Sequence, residues 1–387
     1  MLNLYNKFYI TLVVLLIASP ALSLLGVVGL GYLPNEKIAI LLVAINKNAW
    51  KPKFGQLRLF SLIVSFFLII LFLVQLYLET LGHFQAGINS ILVMVSIPLY
   101  VSFFSHNPYL AYRAIFIVGI MQLCFSLIQQ FYSHIGYTEI ITFFNNYPPQ
   151  KMYRYRVGET GFFYRTSGIF TESSSYAVFQ WLTIISAIKI NVHKRLFGKV
   201  ILFILFIEVV LNGSIAGYLF AIGYFTFQYR PITKVRIHRF FYVAIFIILS
   251  FLFLDVGEYF NAQGIYTKIL KQFDFLYDEM STSPSRLAGM YQAIVYIFES
   301  DFLIQGIGFS WVQPTLDFYS LHLKAFGIVG FVVISVYILL ILRKAPLNYK
   351  IGVLLVLSVN GHLSSAINIL LLSLSVLFIK VRKRRDE

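Results

Sequence analysis

The chemistry this chain has to offer rests on ionisable residues set in or beside strongly apolar stretches. Arg165 lies between Tyr164 and Gly168 at the entrance to an apolar run. Glu172 follows within its first turns, in Phe170-Thr171-Glu172-Ser173-Ser174-Ser175-Tyr176. An ionisable group inside a membrane-spanning segment is costly and marks a working site with a partner. The bland alternative for Glu172 is a carboxylate that simply complements a helix N-terminus. Further on, Ser283-Pro284-Ser285-Arg286 reads as a helix start, with serine as N-cap and proline in the first turn. Residues Leu287 to Phe298 then form an amphipathic helix at the membrane interface. Gln305-Gly306-Ile307-Gly308-Phe309-Ser310 is a turn where backbone can approach a ligand closely. His322 and Lys324 follow, ahead of Gly327 and Gly330. Glu208 near Asn212 is a second acid, read equally well as a structural hydrogen bond between helices. His362, beside Asn360 and Gly361, fits a turn.

Several cations around one carboxylate suit a substrate bearing phosphate or pyrophosphate. Arginine is favoured there because its planar fork binds two oxygens at once. No Asp-x-Asp pair and no His/Asp cluster with ligand spacing is present, so no metal site is expected. The positive charge at the site would come from side chains.

The elements that must position these residues follow from composition. Hydrophobic residues make up 59% of the 387, charged residues only 12%, and mean hydropathy is +0.78. A soluble domain carries about 25% charged residues, so a water-soluble core of this size is excluded. The net charge of +15 does not point to nucleic acid, since no basic domain stands apart from the apolar runs. Cys124 is the single cysteine, so there is no intrachain disulfide. The first apolar segment lacks a small-residue cleavage site and is expected to be a retained helix.

Apolar runs predict helices over 8–30, 34–47, 59–79, 88–105, 109–131, 167–190, 198–211, 213–229, 240–256, 321–342, 349–362 and 364–381. The second is short for a span, and the last two are one longer span or two separated near Gly361. The fold class is all-α, a polytopic membrane protein of about twelve spans, each about 20 residues long. Residues 1–387 form a single transmembrane domain. Two long external loops, 132–166 and 257–320, interrupt it, and the larger carries the interfacial helix.

With a cytoplasmic N-terminus, the dense basic clusters fall in cytoplasmic loops. These are Lys47, Lys51, Lys53 and Arg58; Lys194, Arg195 and Lys199; Arg230, Lys234, Arg236 and Arg239; and Arg343, Lys344 and Lys350. The tail adds Lys380, Arg382, Lys383, Arg384 and Arg385. Both termini are then cytoplasmic, as the positive-inside rule requires. The exception is the first external loop, with Lys151, Arg154, Arg156 and Arg165 against Glu139 and Glu159. For Lys151, Arg154 and Arg156 a solvated loop touching headgroups competes with substrate binding. In this topology Arg165, Glu172, Arg286, His322 and Lys324 all fall on the external side.

The same residues carry a resemblance. Arg165-Thr-Ser-Gly168-Ile-Phe170-Thr-Glu172-Ser-Ser resembles the Arg-x-x-Gly-x-Phe-x-Glu-Pro/Ser signature of O-antigen polymerases (Wzy-type) and of the related O-antigen ligases. Ser283 to Arg286, leading into Gly306-Ile-Gly308-Phe309, is similar to the large periplasmic loop of that superfamily. The stretch from His322 through Phe326 and Gly327 to Gly330 resembles its His-and-glycine motif at the next helix. The likeness covers roughly 160–340, in the family's order. One departure is Ser214-Ile215-Ala216-Gly217, where many relatives have Ser-Arg-x-Gly.

The resemblance implies a GT-C-like inverting glycosyltransferase, independent of metal and without a cofactor. It would act in the bacterial cytoplasmic (inner) membrane, with its active site facing the periplasm. Its substrates would be undecaprenyl-pyrophosphate-linked oligosaccharides, polymerised into O-antigen, capsule or a related surface polysaccharide. A chain-length regulator is an expected partner, besides membrane lipid. Arg165 and Arg286 would stabilise the pyrophosphate leaving group, helped by His322 or Lys324. Arg154 and Arg156 would add substrate contacts. Glu172, or alternatively His322, would accept the proton of the attacking hydroxyl. An O-antigen ligase passing glycan to lipid A-core is the nearest rival. A flippase or transporter of the same lipid-linked sugars is a rival of another class.

Overall fold

In hydrocarbon every backbone N–H and C=O must be satisfied within the chain, and a continuous apolar run achieves this as an α-helix. A computed structural model of the protein describes residues 2–19, 35–51, 55–77, 84–134, 168–170, 173–212, 214–226, 294–295, 297–301, 303–304, 306–307, 318–358 and 366–375. Among these residues there are helices and turns and no strand. In chain order the α-helices are α1 (Leu2–Ile17), α2 (Asn35–Ile45), α3 (Gly55–Tyr77), α4 (Phe84–His106), α5 (Pro108–His134) and α6 (Ser173–Lys189). They continue with α7 (Leu196–Leu211), α8 (Ile215–Thr226), α9 (Phe318–Leu342), α10 (Leu347–Leu357) and α11 (Ala366–Leu374).

Within α3, α5 and α9, the segments Gly55–Gln75, Pro108–Phe131 and Leu321–Leu342 are long and apolar enough to cross a membrane. The other described helices are shorter or less uniformly apolar. The 11-residue α2 is too short to cross about 30 Å of hydrocarbon at 1.5 Å per residue. The distribution of side chains identifies the solvent. Leu59, Leu62, Ile63, Phe66, Ile69, Ile70, Leu73 and Val74 form one outward apolar face along α3. Ser61, Gln75, Ser96, Gln122, Ser126, Gln129, Gln180 and Thr183 are buried between helices. A continuous exposed apolar face of this kind marks lipid contact. Each exposed leucine or isoleucine would forgo about 1.5–3 kcal/mol if it faced water.

The pairs α1/α2, α5/α6 and α3/α9 run antiparallel, and side-chain hydrogen bonds to backbone fix their register. The Tyr9 hydroxyl donates to the Leu42 carbonyl (2.5 Å), tying α1 to α2. Gln180 Nε2 donates to the Gly119 carbonyl (3.2 Å) between α6 and α5. Gln75 at the end of α3 donates to the Ala325 carbonyl near the start of α9 (2.6 Å). Tyr337, farther along α9, donates to the Met94 carbonyl of α4 (2.6 Å). This alternation collects Lys47, Lys51, Arg58, Lys194, Arg195, Lys199, Arg343, Lys344 and Lys350 at one end of the bundle. Residues 168–170, 303–304, 306–307 and the start of α9 lie at the other.

Several sequence expectations change here. The helix expected over 167–190 begins only at Ser173, because Gly168-Ile169-Phe170 is a turn whose glycine has φ 58°. The span expected over 321–342 is α9, but Gly327 breaks it with φ 65° and ψ −174°. The last two apolar runs form separate helices, α10 and α11. The first run is helical only to Ile17 within the described residues. Of the interfacial helix expected over Leu287–Phe298, residues 294–295 and 297–299 are described and helical, with Ile297 buried and Phe298 outward. The expected helix over 240–256, most of both external loops and the basic tail lie outside the described residues.

Candidate functional site

The turn at Gly168-Ile169-Phe170 stands between Arg165 and Glu172, and its conformation is set by helix α5. Gln122, Ser126 and Gln129 are spaced four and three residues apart, so they share one face of that helix. Gln129 makes a paired contact with Gly168: its Oε1 accepts from the glycine N–H (3.0 Å), and its Nε2 donates to the glycine carbonyl (2.8 Å). Gln122 Oε1 accepts from the Ile169 N–H (2.7 Å), while its Nε2 donates to the Ala18 carbonyl of α1 (2.6 Å). Two glutamines thus replace the helix ladder that this turn forgoes, answering the demand that buried backbone groups be paired.

Only glycine fits. A Cβ at Gly168 would collide with Gln122 Oε1 and come within 3.0 Å of the Tyr176 ring, on a left-handed backbone. Phe170, fully buried, packs on Phe179 with ring centroids 5.3 Å apart. The spacing Gly168, Phe170 and Ser173 therefore describes a rigid turn leading into a helix.

Beneath the turn lies a polar cluster. The Ser126 hydroxyl donates to Glu208 Oε1 (2.5 Å), and Glu208 is 8% exposed. Tyr176, fully buried on α6, has Ser126, Glu208 and Gln180 as neighbours. The Glu208 carboxylate, on α7, thus reaches the same face of α5 that holds the turn.

The second neighbourhood is the break in α9. Gly306 (φ 74°) and Gly327 (φ 65°) pack backbone to backbone, and a Cβ on either would collide with the other's main chain. The Ile307 N–H donates to the Lys324 carbonyl (3.0 Å), and the Ile328 N–H donates to the Leu303 carbonyl (2.8 Å). Gln75 takes the carbonyl of Ala325. Groups released by the break are thereby satisfied from outside the helix. The close approach expected at Gly306 is made to the chain itself.

His322 and Lys324 ride on the short half of α9 that precedes the break. His322 is fully buried, its ring tilted against Phe326 at a centroid distance of 6.2 Å. Lys324 is half-buried. These two and the Gly168 turn belong to the same end of the bundle, on different neighbours: α5 and α6 for the turn, α3 for the half-helix. Arg154, Arg156, Arg165, Glu172 and Arg286 lie outside the described residues. Among the described residues no group of three or more His, Cys, Asp or Glu side chains could hold a metal.

Sequence reasoning passed over Gln122, Ser126 and Gln129, although polar residues recurring on one face of an apolar helix are a readable sign of internal contacts. It also passed over Gln75 and Tyr176. What this end of the bundle can do chemically is hold a turn and a broken helix rigidly on buried side-chain donors and acceptors. Comparison of the sequence with protein-family models gives no match, and comparison with curated proteins gives none either.

Proposed function

We propose that the protein is an inverting membrane glycosyltransferase that polymerises undecaprenyl-pyrophosphate-linked oligosaccharide repeat units into O-antigen or a related surface polysaccharide. The observation that carries this reading is the Gly168 turn. It is held rigidly by Gln122 and Gln129 at the end of the bundle opposite the dense basic clusters, and in sequence a cation, Arg165, precedes it and a carboxylate, Glu172, follows. Fixed charges accelerate a reaction when they are in place before charge develops on the leaving group.

In this reading Arg165 and Arg286 face the pyrophosphate, Lys324 and His322 support them, and Arg154 and Arg156 extend the substrate contact. Glu172 takes the proton of the attacking hydroxyl, with His322 as the alternative. The chain crosses the bacterial cytoplasmic membrane about twelve times. Both termini are cytoplasmic, the loops 132–166 and 257–320 are external, and the site faces the periplasm. A chain-length regulator is its proposed protein partner.

The break at Gly327 favours one second reading, a flippase or transporter of the same lipid-linked sugars, since interrupted helices line transporter sites. Transporters place such breaks near the bilayer midplane, whereas this one lies six residues into the span Leu321–Leu342. One experiment separates the readings. Purified full-length protein is incubated with a defined lipid-linked repeat unit in detergent, and products are resolved on a gel. A ladder of oligomers, lost in Arg286→Ala, is expected. Movement of the intact substrate across a liposome without a ladder would overturn the proposal.

A further inference from the structure

The basic end of the bundle holds a constrained cluster that the proposed glycosyl transfer does not use. Residues Lys47–Trp50 form a single 3₁₀ turn between α2 and α3. Asn46 caps it, its side chain accepting from the Asn48 N–H (2.9 Å). The Asn48 carbonyl accepts from the Ser102 hydroxyl of α4 (3.1 Å). The Trp50 indole N–H donates to the Ala44 carbonyl (2.6 Å). Arg58, one turn into α3, donates to the carbonyls of Ala49 (3.1 Å) and Lys51 (2.7 Å), and its guanidinium lies 5.9 Å from the Trp50 ring centroid. These bonds fix the turn that ends at Lys51, whose own carbonyl is held by Arg58. The Lys51 ammonium is held 3.1 Å from both ring nitrogens of His106, at the end of α4.

Lys51 and His106 are both exposed, and so are Lys47, Trp50 and Tyr109 around them. The described acidic residues, Glu36, Glu208, Glu299 and Asp301, all belong to the opposite end of the bundle. Two basic groups side by side, backed by an arginine and fixed by backbone latches, suit a single anionic oxygen cluster. An exposed tryptophan and tyrosine at the same level are the residues that sit at headgroup depth in a bilayer. A flexible lysine on a free loop would lose side-chain and loop entropy on binding. Here residues 46–51 are already held by these bonds, which lowers that cost.

We propose that Lys51, His106 and the arginine-braced turn at Trp50 form a binding site for the phosphate headgroup of an anionic phospholipid in the leaflet at the basic end. This rests on the membrane character of the chain and not on its catalytic assignment.

The test uses full-length protein reconstituted in phosphatidylcholine vesicles containing increasing fractions of brominated phosphatidylglycerol, whose bromines quench nearby indoles. Tryptophan fluorescence should fall saturably, and Trp50→Phe should remove that component. Lys51→Gln should raise the half-saturating lipid fraction about fivefold, the effect of one surface charge on an anionic leaflet, and His106→Gln should raise it as well. Lys51→Arg should retain binding, which separates loss of charge from misfolding. Lys344→Gln, an equal charge change elsewhere at the same end, should leave it unchanged. Equal losses for Lys344→Gln and Lys51→Gln would overturn the site in favour of diffuse attraction. So would equal quenching by brominated phosphatidylcholine. Relief of quenching by millimolar inorganic phosphate would reassign the site to a free anion.

Discussion

At the scale of single residues, the clearest consequences gather around Gly168. Replacing it with alanine places a side chain on a left-handed backbone, at about 1–2 kcal/mol, and drives Gln122 from its bond to Ile169. Gly168→Ala should therefore lower the melting temperature of the detergent-solubilised protein and shorten or abolish the oligomer ladder. Gln129→Ala should do so too. It leaves the N–H and carbonyl of one buried residue unpaired, each worth about 1–3 kcal/mol unless water enters. An unchanged melting temperature in Gly168→Ala would mean the turn is not held as described. Glu208 allows a sharper separation of structure from chemistry. Glu208→Gln keeps an oxygen to accept from Ser126 and should change thermal stability little. Glu208→Leu removes the acceptor of the Ser126 hydroxyl and should cost about 1–3 kcal/mol. A ladder lost in Glu208→Gln at unchanged melting temperature would give this carboxylate a part in the reaction.

At the scale of elements, the broken α9 joins two segments distant in sequence through one backbone contact. Gly306 and Gly327 each require a left-handed conformation, and each occupies the space where the other's Cβ would stand. Gly306→Ala and Gly327→Ala should each destabilise strongly, while the double variant should lose less than the sum, since the first substitution already separates the segments. Thermal unfolding of the four proteins measures that coupling, and simple additivity would exclude a shared contact. This break also shows where the sequence can be read and where it cannot. Apolar runs located α3, α5 and α9 closely, because a run of about 20 apolar residues has few ways to satisfy its backbone in lipid. The interruption at Gly327 was not legible from its own neighbourhood. Phe326-Gly327-Ile328 reads as uninterrupted helix, and the groups that stabilise the break, Gly306 and Gln75, come from elsewhere in the chain. The delayed start of α6 has the same cause, since Gln122 and Gln129 determine it from α5. Arg165 and Glu172 could be singled out because charge in an apolar run is visible locally. The residues that hold their connecting turn are uncharged, and only the fold brings them near.

At the scale of the whole molecule, two asymmetries set orientation and function against each other. Basic side chains are dense at one end, where Lys47, Lys51, Arg58, Lys194, Arg195, Lys199, Arg343, Lys344 and Lys350 meet. The latched turn and the broken helix occupy the other. Lysine and arginine resist translocation, so in the proposed orientation the basic end is cytoplasmic and the Gly168 end faces outward. In the proposed reading, a substrate attached to an outward-facing lipid meets the end of the bundle that carries Lys324. The orientation can be read directly by labelling. Cys124, the single cysteine, is replaced by serine, and new cysteines are introduced one at a time at Lys344 on the basic end and at Ser300 on the other. An impermeant maleimide added to intact spheroplasts should modify Ser300→Cys and leave Lys344→Cys untouched until the membrane is permeabilised. The reverse pattern would place the latched turn in the cytoplasm, beside nucleotide-sugar donors, and would remove the physical basis for a lipid-pyrophosphate substrate.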